Sequence, residues 1–163
     1  MPALSRRPRR WAVMEMKYYT YAKWQDELVF NWYVLLRKNG KEMRNDPDTS
    51  QFSFYTLSTR YMNIPQGDHM ACSCIDPTSI ERYGEPVVIS VLIQNKDGQD
   101  LDLKTDDPYG IVKNMGLKWW DNPKVFDAHD ASGKKTVERR SGLVDRSKTP
   151  FALINPQDYE QIQ

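Results

Sequence analysis

The stretch Leu28 to Gly40, LVFNWYVLLRKNG, is the densest run of apolar and aromatic side chains in the chain, and it constrains the fold more than any other segment. In an extended strand alternate residues point to opposite sides, so Phe30, Trp32, Val34 and Leu36 share one purely apolar face, and Val29, Asn31, Tyr33, Leu35 and Arg37 share the other. A helix from Asp26 to Lys38 competes, with acids at its start, Arg37 and Lys38 in its last turn and Gly40 as its stop. The β-branched and aromatic residues in the middle of the run favour the strand. Asn39-Gly40 then predicts a tight type I′ turn, since both residues tolerate positive φ, with Glu42 to Asn45 turning back.

Other segments carry the same signals. Trp11 to Trp24 is rich in β-formers and contributes one strand or two short ones. Asn45-Asp46-Pro47-Asp48-Thr49 is a loop on turn chemistry, and Phe52 to Leu57 alternates as a strand. Ile64-Pro65-Gln66-Gly67 leads into a strand with Met70, Cys72 and Cys74 on one face, closed by Asp76-Pro77. Val87 to Gln94 presents Val87, Ile89, Val91 and Ile93 together, Asn95-Lys96-Asp97-Gly98 turns the chain, and Leu101 and Leu103 mark a return strand with one wet face. Six or seven short strands between residues 11 and 104 predict an all-β, antiparallel two-sheet sandwich.

The order of these features resembles the immunoglobulin-like superfold. Trp32 lies in a central strand ahead of a tight hairpin, as that superfold's core tryptophan does, and Gly67-Asp68-His69-Met70-Ala71-Cys72 is similar to the entry to its penultimate strand. Two features depart from it: no earlier cysteine is available to pair with Cys72, and His69 or Met70 stands near the expected corner tyrosine. The resemblance implies a β-sandwich and carries no activity with it.

Beyond Thr105 the pattern changes. Asp106-Asp107-Pro108 predicts the start of a short helix through Trp119, with Ile111, Val112, Met115 and Trp119 on one face, although Gly110 and Gly116 weaken it. The rest is aperiodic, with isolated anchors at Trp119-Trp120, Val125-Phe126, Leu143-Val144 and Phe151 to Ile154. Such a tail cannot form a core by itself and must lie along another surface, its own sandwich or a partner. The predicted organisation is a basic arm over 1–10, a sandwich over 11–104 and an extended tail with one short helix over 105–163.

A net charge of +1 conceals an asymmetry. Residues 1–10 hold Arg6, Arg7, Arg9 and Arg10 with no acid, and 134–148 hold six basic residues against Glu138 and Asp145; with these two surpluses of four set aside, the remainder carries −7. Basic ends on an acidic body suit docking on an acidic partner, an RNA or a neighbouring copy of the body. No apolar run approaches the ~20 residues of a membrane span. No apolar segment follows the basic start as a secretory signal would require. Cys72 and Cys74 lie too close in sequence for a useful bridge, which fits a reducing compartment or a virion better than secretion.

His69, Cys72, Cys74 and His129 could in principle form a zinc site, but cysteines alternating along a strand beside Met70 read as small packing residues, and we expect neither metal nor cofactor. No nucleophile elbow or Gly-rich phosphate loop occurs. The expectation is a non-enzymatic structural or adaptor subunit binding other protein subunits, copies of itself among them, through Arg6, Arg7, Arg9, Arg10, Trp119, Trp120, Phe126, Arg139, Arg140 and Phe151. Two alternatives stand beside it. One is a carbohydrate- or other ligand-binding sandwich with Trp119 and Trp120 as platform; the other is a coat or ribosomal-type protein whose arm contacts nucleic acid.

Overall fold

The computed structural model of the chain describes residues 10–149. The organising run is a strand, but it is the second half of a far longer one: β1 spans Ala12–Arg37 without interruption. A short helix, α1 (Gly40–Asn45), separates it from an almost equally long β2 (Phe52–Ile75), and the two pair antiparallel from Arg37↔Phe52 to Ala12↔Ile75. Two strands thus replace the four or more short ones expected over this stretch. The predicted Asn39-Gly40 hairpin turn does not form. Instead the Asn39 side chain accepts a hydrogen bond from the Lys41 amide (2.8 Å) and its carbonyl accepts from Met43, which starts α1. Asparagine serves helix starts as readily as turns, and the polar residues that follow offer nothing for a sheet to bury.

The β1–β2 ribbon is too long for one layer, and it folds over on itself. Tyr18 packs against Phe30, ring centroids 4.9 Å apart, and Met14, Met16 and Tyr18 share one core with Phe30, Trp32, Val34, Leu36, Tyr61 and Ile64. The bend has local causes in both strands. Register slips between Thr20 and Trp24, so that Tyr21, Ala22 and Lys23 oppose Gln66 alone, and Asn63 adopts φ 55 with Gly67 at φ 133. An extra loop of chain on one strand and left-handed backbone on the other both bend a ribbon sharply. The Pro65 turn expected from sequence is therefore a corner inside β2.

On the second half of β1 the sheet continues through β3 (Glu85–Asn95) to β4 (Asp100–Asp106), giving the order β4-β3-β1-β2-β5, where β5 (Val137–Arg139) runs parallel to β2 and β6 (Leu143–Val144) pairs with the far half of β2. The all-β antiparallel sandwich is thus built from one folded sheet. Its central Trp32 is buried in the strand where the immunoglobulin-like resemblance puts it, and Cys72 is a free, buried thiol. Between β2 and β3 the sequence Asp76-Pro77 opens a helix, α2 (Pro77–Tyr83), whose cap is the Asp76 carboxylate accepting from the Ser79 amide at 2.7 Å. Gly84 ends it at φ 100, where a Cβ would meet the Arg37 carbonyl oxygen at 2.0 Å. Val87 faces opposite to Val91 and Ile93, because the register shift at Leu35/Leu36 inserts a bulge beside it.

The far face of the central sheet, lined by Leu35, Phe54, Val88 and Leu92, is covered by the tail. The helix predicted over 106–119 is absent. The Asp107 carboxylate accepts from the Ile111 and Val112 amides in a closed turn, and Gly110 (φ 65) and Gly116 (φ 89) take left-handed conformations that no α-helix accommodates. Val112 and Trp119 still reach the core that their spacing suggested, with Ile111 and Met115 packed against it. Trp119 and Trp120 follow in a 3-10 turn, then α3 (Pro123–Phe126) capped by Asn122, so the described part of the tail forms a third layer on the chain's own sheet. Phe151 to Ile154 lie outside the described residues.

Candidate functional site: an exposed aromatic corner

The end of the molecule where the ribbon folds is chemically unlike the rest. Of the eight large apolar side chains exposed among the described residues, five (Tyr19, Tyr21, Trp24, Met62 and Leu101) belong to this end. Tyr21 is 83% and Trp24 60% exposed, values that for aromatic rings this large mark surface left uncovered at a cost. The slip in register is what presents them, since a bulge re-aims the side chains it carries. The Gln66 amide donates to the Tyr21 carbonyl at 3.0 Å and fastens the bulged loop, while the Tyr19 and Tyr21 rings meet edge to face at 4.7 Å.

The corner is rigid beneath. His69 Nε2 donates to the Pro65 carbonyl at 2.7 Å; because a carbonyl can only accept, this nitrogen carries the proton. Thr20 Oγ1 donates to the same oxygen at 2.8 Å, and Tyr18 packs against the His69 ring. A cleft of about 540 Å³ opens beside the corner between Tyr18, Tyr19 and Tyr21 on one wall and Ile93, Leu101 and Lys104 on the other. Charged side chains, Asp102 and Lys104 of β4, line the cleft beside these rings. Apolar rings beside charged side chains are the composition of a protein-binding surface.

The residues singled out from sequence are placed differently. Arg6, Arg7, Arg9 and Phe151 lie outside the described residues, and Arg10 is exposed beside Trp11. Trp119 and Trp120 are buried: Tyr33 stacks on Trp120 (3.9 Å, 5° between planes), Trp119 abuts Phe54, and Trp119 Nε1 donates to Ser90 Oγ at 2.8 Å. Neither ring offers an open face for a sugar. Arg139 lies over the half-buried Phe126 ring at 3.9 Å. Arg140 lies over Tyr83 at 3.9 Å and donates from Nε to Ser53 Oγ. These five described aromatic and basic tail residues, Phe126 against Phe54 among them, bind the tail to the sheet.

The remaining titratable groups are structural in their surroundings. Cys72 and Cys74 lie on one face of β2; the hydrogen bond between them lowers Cys72 against the upward push of burial, and raises Cys74 together with burial. Among the described residues no group of three or more His, Cys, Asp or Glu side chains could hold a metal ion. The ammonium of the buried Lys38 donates to the Asp46 carbonyl and to Thr49 Oγ1; desolvation pushes its pKa down, with Asp46 opposing. Lys134 reaches the Pro47 and Thr49 carbonyls of the same loop from the tail. No helix among the described residues is long and apolar enough to cross a membrane.

Fold and surface together define an all-β, antiparallel protein with one exposed aromatic corner. The chain belongs to the family described as ":-like", whose model matches residues 2–163, a description that specifies no activity or partner. No curated protein and no solved structure matches it.

Proposed function

We propose that the chain is a non-enzymatic structural or adaptor subunit that docks into a larger protein assembly, such as a virion, a tail machine or an organellar complex. The observation that carries this reading is the aromatic corner: Tyr21, Trp24 and their neighbours are held out of the fold by a bulge and a pinned bend. Burying three such rings in a partner is worth several kcal/mol, at about 25 cal/mol per Å² of apolar surface. The basic arm adds charge attraction to an acidic body, an interaction that salt weakens. The fastening of Trp119, Trp120, Arg139 and Arg140 within the fold shifts the docking surface from the tail to the corner.

The test is sedimentation of the full chain from its natural source, comparing wild type with a Tyr21→Ser, Trp24→Ser double variant. Wild type is expected in a fast-sedimenting assembly and the variant among small species, with the melting temperature unchanged because the removed rings are exposed. A variant that sediments with the assembly as wild type does would refute the corner as the docking surface. Wild type found only as the free chain would refute the assembly reading itself.

A further inference from the structure

Elsewhere in this fold arginine is repeatedly laid on aromatic rings. Arg37 lies over Tyr109 at 4.8 Å, Arg82 and Arg140 over Tyr83 at 5.3 and 3.9 Å, and Arg139 over Phe126 at 3.9 Å. The quadrupole of a ring attracts a cation over its face, most strongly for tryptophan. The exposed rings of the corner are the exception: among the described residues no arginine or lysine lies over Tyr19, Tyr21 or Trp24. Two acids stand beside them. Asp68 is opposite Tyr19 in the β1–β2 ladder and Asp102 lines the cleft; both are exposed, and neither forms an ion pair with a described cation. Open ring faces next to carboxylates without a cation suit an arginine-rich segment, whose planar guanidinium groups stack on rings and bond to carboxylates at once.

The chain carries such a segment, the basic arm with Arg6, Arg7, Arg9 and Arg10 and no acid, and its charge is complementary to the acidic body. The arm does not reach its own corner. Tyr19 stands nine residues along the chain from Arg10, about 30 Å in extended strand, with Tyr21 and Trp24 beyond it. Arg6 stands four residues from Arg10 on the other side, about 14 Å at full stretch. Even turned straight back along β1, the arm would bring Arg6 less than halfway to the rings. We propose that the arm of one copy binds the aromatic corner of a second copy, its guanidinium groups lying on the faces of Tyr19, Tyr21 and Trp24 and beside Asp68 and Asp102. Lys104, the cation on the opposite wall of the cleft, reaches toward the Lys17 carbonyl at 3.5 Å. Pro8, between the two arginine pairs, restricts the free arm and so reduces the entropy lost on docking. Arm and corner belong to opposite ends of the first half of β1, so the contact is head to tail, and its repetition closes a ring or extends a filament. This deepens the reading of the corner as a docking surface, on which it rests, by naming the occupant.

The test is the molar mass of the purified full chain by light scattering and equilibrium sedimentation at low salt. Wild type is expected to self-associate as its concentration rises, and added salt should weaken the association. An arm variant, Arg6→Ser with Arg7→Ser and Arg9→Ser, and a corner variant, Tyr21→Ser with Trp24→Ser, should each associate roughly ten- to a hundredfold more weakly. Mixed in equal amounts, the two should form a complex of two chains and nothing larger, because the pair retains one intact arm and one intact corner. Thermal melts establish that each variant is folded. A wild type that stays monomeric to about 100 μM, a range that covers ordinary specific contacts, would overturn the proposal. So would an arm variant that associates as wild type does, or a mixture that stays monomeric. Association that nuclease abolishes would assign the arm to nucleic acid and overturn it equally. A pure chain that is monomeric yet sediments with the assembly from its source would refute the arm exchange alone and leave the assembly reading intact.

Discussion

Replacing Trp119 tests the claim that the tail is a layer of the fold rather than an appendage. The side chain is 1% exposed, it abuts Phe54 edge to face, and its indole N–H donates to Ser90 Oγ. A buried tryptophan removes about 150–250 Å² from water, which at about 25 cal/mol per Å² is roughly 4–6 kcal/mol. Truncations of large aromatic residues measure about 3–5 kcal/mol, and we expect Trp119→Ala to fall there. Ser90 is not orphaned by the change, since its hydroxyl also pairs with Thr105 Oγ1 at 2.8 Å, so no penalty for an unsatisfied group is added. Trp119→Phe should therefore cost less, about 1–2 kcal/mol, from the lost hydrogen bond and ring volume. The assay is urea denaturation followed by far-ultraviolet dichroism, with a slope of about 1–3 kcal/mol per molar converting these losses into midpoint shifts of about 1–5 M for the alanine variant. Limited proteolysis runs alongside, with earlier cleavage within 107–139 expected in the variant. A Trp119→Ala chain within about 1 kcal/mol of wild type, below the range for any buried large side chain, would mean that the tail does not stabilise the sheet.

Three further outcomes are expected. Gly84→Ala should cost about 3 kcal/mol or more, because the new methyl would overlap the Arg37 carbonyl at a left-handed φ; a melting temperature equal to wild type would refute that contact. Lys38 has its pKa lowered by burial from 10.5, so the unfolded chain binds this proton more tightly than the folded one, and the cost of burying the charge is full below the folded pKa and fades as pH rises toward 10.5. Wild type should accordingly gain stability relative to Lys38→Met between neutral and alkaline pH in paired urea titrations, and parallel profiles would contradict it. Cys72 and Cys74, both buried, should resist iodoacetamide in the native chain and react on unfolding; rapid native labelling of either, read by mass spectrometry, would place it at the surface.

The strands were legible where side-chain chemistry is two-sided, and their continuity was not. Phe30, Trp32, Val34 and Leu36 are all buried on the face that their alternation assigns. What sequence concealed was that Trp11 to Trp24 continues into the same strand, because exposed Tyr21, Ala22 and Lys23 break the alternation just where the ribbon bends. A bulge and a loop have the same local composition, and only the pairing partner distinguishes them. The helix α1 was missed because Asn-Gly serves caps and turns alike, and α2 because Asp76-Pro77 reads as a strand stop before it reads as a helix start. Trp119 and Trp120 were legible as anchors in a sparse tail, but whether the tail lies on its own sheet or on another chain depends on contacts more than 80 residues distant in sequence, as with Arg140 and Ser53. The aromatic corner had a signal in the odd positions Tyr19 and Tyr21, and it was lost because β-forming aromatic residues are equally at home in a core.

The folded ribbon also restricts how this chain can change length. Each of the two long strands serves both layers of the sandwich, so one residue inserted within 12–20 or 28–37 would turn every side chain beyond it from core to solvent as far as the next bend. At Thr20–Trp24 the register is already interrupted, and added residues would lengthen the loop opposite Gln66 without disturbing either layer. Insertions and deletions among relatives of this chain should therefore gather at the corner that bears Tyr21, which makes the proposed docking surface the part of the ribbon most open to variation.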